Sequence, residues 1–214
     1  MCWNKEVSLA TFIIAIIGVF YLYKRNKQND RWIAFFSGTI TMIQLAEYFM
    51  WSNNTCSNHI NKYASVFALL ILALEPLSNI IGGLYFSNTP YKKYLKYMLL
   101  SYILFIIFFY FTQMHNKSVN WCATSLCNAP DTVQDCNLKW LFVRGFDNKL
   151  AITWILFLLI PFLTMTPDFY GILLVSMGLI TYATASLINH AAKGSIWCWL
   201  AIGVIFYQIL SNKT

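Results

Sequence analysis

Apolar and polar positions along the chain are arranged in long blocks, not in the period of two expected of a strand. Mostly apolar runs cover Ser8–Tyr23, Arg31–Asn53, Tyr63–Phe86, Tyr94–Gln113, Leu150–Thr166, Phe169–His190 and Ser195–Leu210. A helix needs about 20 such residues to cross the hydrocarbon core of a bilayer. The pattern therefore predicts an all-α polytopic bundle of seven transmembrane helices forming a single domain over residues 1–214. Between the fourth and fifth runs lies the longest polar region, a cysteine-rich loop over residues 114–149.

The second run is more than a span. Ser37, Thr41, Gln44, Glu47 and Trp51 recur at steps of three and four residues, so on a helix they share one face. An acid at the centre of a membrane helix costs about 2.5–3.5 kcal/mol on insertion scales, so Glu47 should face other helices or a cavity. The third run adds Glu75 beside Pro76, followed by Ser78 and Asn79. Proline removes a backbone donor and frees a carbonyl one turn earlier, and such polar interruptions line cavities in transporters. A kink filled by a neighbouring helix gives the same sequence. Gly82 and Gly83 then suit close approach of another helix.

Composition agrees with lipid as the solvent: 58% of residues are hydrophobic, 11% are charged and the mean hydropathy is +0.56. The net charge of +7 does not imply nucleic acid. Its cations cluster beside apolar runs, as in KRNKQNDR and YKKYLK, which is the positive-inside pattern. Placing Lys24, Arg25, Lys27, Arg31, Lys92, Lys93, Lys96 and Lys213 in the cytoplasm puts the amino terminus outside and the carboxyl terminus inside. No small-residue cleavage site follows the first run, so a cleaved signal peptide is not expected.

With that orientation Cys2, Cys56, Cys122, Cys127 and Cys136 fall on the outer side, and Cys198 sits about one turn into the last helix from the same side. Thiols gathered on an oxidising side read as disulfides, and six cysteines allow 15 pairings. The sequon Asn116-Lys117-Ser118 is outer as well.

Candidate polar residues on the sixth run are Thr181, Thr184 and His190, the last at its outer end, where it is equally placed as a titrating group or an interface residue. Trp197, Cys198 and Trp199 make an aromatic lid beside Trp51 or part of the outer aromatic belt. The three histidines show no helical pair spacing, which disfavours a metal site and an alkaline-ceramidase-type hydrolase. No cofactor motif, Gly-rich phosphate loop or nucleophile elbow is present. A retinal photoreceptor would need a lysine within the seventh run, and Lys193 precedes it; Pro76 and Pro161 do not reproduce the proline tetrad of SWEET-type carriers.

Across much of the chain, QLAEYFMW (Gln44–Trp51) with the following Cys56 and Asn61, LEPL (Leu74–Leu77) and GSIWCW (Gly194–Trp199) resemble multi-span proteins of large DNA viruses and some algae. The abundance of Asn, Lys, Ile, Tyr and Phe suits an AT-rich genome. The resemblance implies a setting and no mechanism.

The expected interior site comprises Gln44, Glu47, Trp51, Glu75, Ser78, Asn79, Thr181, Thr184 and His190, with lipid and a small solute or ion as partners and self-association left open. Transport or channel activity is the preferred expectation, with proton coupling through Glu75 or Glu47. A receptor-like bundle that binds without conducting is the alternative, and an intramembrane lipid-modifying enzyme the third. The expected location is a secretory-pathway, plasma or viral membrane.

Overall fold

The computed structural model describes residues 4–115, 119–126, 137–143 and 148–211. Helix α1 (Lys5–Arg25) starts where the Asn4 side chain accepts from the Val7 N–H at 2.8 Å. It ends at Asn26, whose left-handed conformation returns its N–H to the Leu22 carbonyl. Four residues later α2 (Asp30–Ser52) begins, so the two helices run antiparallel. α3 (His59–Phe86) is capped by Asn58, and α4 (Lys92–His115) follows a short turn. Two short strands, β1 (Ala123–Ser125) and β2 (Leu138–Trp140), pair antiparallel with Ala123 opposite Trp140.

α5 (Asn148–Leu159) passes into a 3₁₀ turn over Ile160–Thr164 at Pro161. After the cis Thr166–Pro167 bond comes α6 (Asp168–Ile188), and a single 3₁₀ turn at His190–Ala192 leads into α7 (Lys193–Ala201). A break at Ile202 separates α7 from α8 (Gly203–Ser211), and together they form the last long segment.

Six segments are long and apolar enough to cross a membrane: Lys5–Arg25, Asp30–Ser52, His59–Phe86, Lys92–Thr112, Asp168–Ile188 and His190–Ser211. The chain is thus helical and of multi-pass membrane type. The fifth predicted run is shorter than the others, a helix over Leu150–Thr164. Its last turn is a tightened 3₁₀ helix forced by Pro161, which cannot donate into an α-helical ladder.

α2 and α3 form the centre, with 61% of each apolar window buried against 17% for α1, α4 and α6. α1 buries only the narrow stripe Ser8, Ala15, Gly18 and Leu22, and turns Ile13, Ile14, Ile17 and Phe20 outward. Gly82 and Gly83 do admit a close neighbour, which is the Trp32 indole of α2. A Cβ at Gly82 would lie 2.5 Å from Trp32 Cδ1. Trp32 is fully buried there and stacks on Phe162 at 6.3 Å.

The end of the bundle that carries the α1–α2 turn is tied by charge. Arg25 grips Asp30 with two bonds of 2.8 Å, and its remaining N–H groups reach the Gln208 and Ile209 carbonyls at 2.8 and 3.0 Å. Asp30, fully buried, also accepts from the Lys27 N–H and from Gln208 Nε2. This cluster joins the α1–α2 turn to the end of α8. In the sequence Asp30 passes for one more polar residue of a basic loop; the glutamine inside an otherwise apolar last helix was the available signal.

Candidate functional site

Pro76 breaks the hydrogen-bond ladder of α3, and the structure shows where the released groups go. The Leu72 carbonyl, four residues earlier, accepts from Trp154 Nε1 of α5 at 2.8 Å. The Ala73 carbonyl accepts from the Tyr102 hydroxyl of α4 at 2.7 Å, and the Leu69 carbonyl from Tyr110 at 3.1 Å. The kink is therefore filled by neighbouring helices and does not present bare carbonyls to a channel. Ser78 turns back on its own helix, donating to the Glu75 carbonyl at 2.8 Å.

Asn79 performs the same service for α5. Its Nδ2 donates to the Leu158 carbonyl at 2.7 Å, where α5 gives way to the 3₁₀ turn, while its Oδ1 accepts from Trp32 Nε1 at 2.6 Å. One amide thus joins three helices. An asparagine so engaged is a packing residue rather than a ligand-binding one.

The polar face of α2 is inside, as its spacing predicts. Ser37, Thr41, Gln44 and Glu47 are buried, Trp51 is half-buried, and Thr41 donates to the Ser37 carbonyl at 2.7 Å. Glu75 is 2% exposed. The two acids nevertheless sit at different depths. Trp32 meets Asn79 and Asn53 meets Asn61, which fixes the antiparallel register of α2 on α3. On that register Glu75 is level with the Phe36–Thr39 turn and Glu47 with the Ala64–Phe67 turn, about 12–16 Å apart along the axis.

The end of the bundle at the α6–α7 turn holds a cavity of about 190 Å³. Trp140 of β2, Trp154 of α5, Tyr182 of α6 and Trp197 of α7 supply its aromatic walls, and His190 and Lys193 stand on the segment joining α6 to α7. Trp197 packs edge-on against Trp154 and Tyr182, with centroids at 5.7 and 5.1 Å. Its indole N–H reaches Thr181 Oγ1 at 3.1 Å and the Gly178 carbonyl at 3.2 Å. Lys193 Nζ lies 5.7 Å from the Tyr182 ring centre.

The cavity is held by a cap. Cys56, between α2 and α3, is bonded to Cys122 next to β1. The fully buried Asn61 side chain then clamps β1 like a strand neighbour: Nδ2 donates to the Ala123 carbonyl at 2.8 Å and Oδ1 accepts the Ala123 N–H at 2.9 Å. Gly194 lets Trp140 lie against the start of α7, since a Cβ there would come within 2.8 Å of the indole.

Of the residues expected to make an interior site, only His190 lines this cavity, with Thr181 behind its wall. Thr184 is exposed on α6, turned about 100° around the helix from the buried Ala185 beside it, a correction to the expected interior position. Cys198 is buried in the cavity wall and, against expectation, is not in a disulfide; the bridge among the described residues is Cys56–Cys122. Trp199 points away from Trp51 and donates to Thr11 of α1 at 3.2 Å. Cys2, Cys127, Cys136 and the sequon at Asn116 lie outside the described residues. Among the described residues no group of three or more His, Cys, Asp or Glu side chains comes together to hold a metal.

Comparison with protein-family models, with curated proteins and with solved structures gave no match.

Proposed function

We propose that the chain is a seven-span membrane protein, amino terminus outside, that binds a small ligand in the aromatic cavity beneath its disulfide-tethered cap. It works as a receptor-like or sensing bundle in a secretory-pathway, plasma or viral membrane. The cavity carries this reading. At about 190 Å³ it exceeds the roughly 150 Å³ apolar cavity known to admit benzene, and rings and a few polar groups converge on it, the usual make-up of a ligand site. The fifth segment, Leu150–Thr164, completes the bundle as its shortest span.

The test is calorimetric titration of the protein in lipid nanodiscs with toluene and benzoate, set against empty discs. Binding by the native protein, lost in Ala151→Trp, where the new side chain fills the cavity, is the expected result. Equal heats from native and filled protein would sink the reading.

A second reading rests on Glu75, whose carboxyl is buried and has one oxygen without a hydrogen-bond donor among the described residues. In that reading Glu75 carries a proton coupled to movement of an ion or small solute. Proton flux in proteoliposomes that survives Glu75→Gln, or no flux in the native protein, argues against it.

A further inference from the structure

We infer that the outer cavity takes an anion: a planar, ring-sized carboxylate or an equivalent acid whose apolar body lies among the tryptophans. The inference rests on the ligand-binding reading above and adds the ligand's charge. Two features of its lining ask for an acceptor. Lys193 lines it as a cation, with its ammonium held over the Tyr182 ring. Trp140 lines it too, 7% exposed, and its indole N–H is buried without an acceptor among the described residues.

An indole N–H can only donate, and a lysine ammonium can only donate. His190 adds a further ring N–H at the rim. No Asp or Glu is found in the lining among the described residues, so no acidic side chain of the cavity answers the charge of Lys193. The remaining walls, Leu72, Trp154, Ile155 and Trp197, are apolar and accept a ring or short branched chain. A cationic ligand would meet the ammonium and the donor groups with the wrong sign. A neutral hydrocarbon would fill the space and leave the donors unanswered.

The test uses three probes of one shape and different charge: benzoate, nitrobenzene and benzamidinium. Each is titrated calorimetrically at neutral pH into the full chain in zwitterionic nanodiscs, with empty discs as reference. Benzoate is expected to bind about tenfold tighter than nitrobenzene, the scale of one charge-assisted hydrogen bond, and benzamidinium weakest. Lys193→Gln should remove most of that preference, weakening benzoate several-fold more than nitrobenzene. Equal binding of the three, or benzamidinium best, overturns the anion inference while the ligand-binding reading stands. Binding of none of them, or binding unaltered in Ala151→Trp, overturns both.

Discussion

Trp154 on α5 donates its indole N–H to the Leu72 carbonyl of α3 at 2.8 Å, and Leu72 stands four residues before Pro76. The bond that proline denies to α3 is thus supplied by a side chain from another helix. The same tryptophan is a wall of the aromatic cavity and packs against Trp197. Cavity wall and helix break are therefore joined by one residue.

This relationship predicts a coupled pair. Trp154→Phe keeps most of the ring but leaves the Leu72 carbonyl buried and unanswered, at a cost of about 1–3 kcal/mol. Pro76→Ala returns an N–H to the ladder, so the same Trp154→Phe change should cost less in that background. Thermal unfolding in detergent of the four proteins of the cycle measures the coupling. Strict additivity would mean that Trp154 acts through packing alone.

At the α1–α2 turn, Asp30 and Arg25 form a buried pair that also closes the end of α8. Removing one partner strands the other, so Asp30→Ala should destabilise by about 3–5 kcal/mol. Asp30→Asn keeps a side-chain oxygen for Lys27 N–H and should lose less. The melting temperatures of the two variants check this order. A reversed order would show that the oxygen and shape kept by asparagine contribute nothing once the charge is gone.

Much of the architecture was legible because lipid demands it. The runs Ser8–Tyr23 and Arg31–Asn53 are long and apolar, and Ser37, Thr41, Gln44 and Glu47 keep a helical step, so both span and buried face follow from periodicity. The shortness of the fifth segment was less accessible, since hydropathy does not record the change from α to 3₁₀ helix at Pro161. The partners of the interior polar groups were hidden for another reason. Asn79 and Trp154 bond to backbone carbonyls of Leu158 and Leu72, and a carbonyl has no sequence signature. The cavity was hidden most deeply. Trp140, Trp154, Tyr182 and Trp197 come from four elements and read singly as core or interface aromatics, while the acids that drew notice lie elsewhere in the bundle.

The cap offers the last prediction. Asn61 holds Ala123 by both its N–H and its carbonyl, and Ala123 follows the bridged Cys122. Its Nδ2 also reaches the Asn53 carbonyl at the end of α2 at 2.7 Å, so one amide fixes the cap to the loop that carries Cys56. Asn61→Leu has similar bulk and none of these bonds. It should leave the Ala123 backbone groups buried without their partner and let the cap open locally more often. Reduction of the Cys56–Cys122 bond by dithiothreitol, followed by gel shift with a maleimide polymer, should then proceed several-fold faster than in the native protein. Asn61→Asp retains the acceptor for the Ala123 N–H but loses the two donated bonds, so its rate should fall between the two. An unchanged rate in Asn61→Leu would show that the disulfide and the strand pair hold the cap without help from α3.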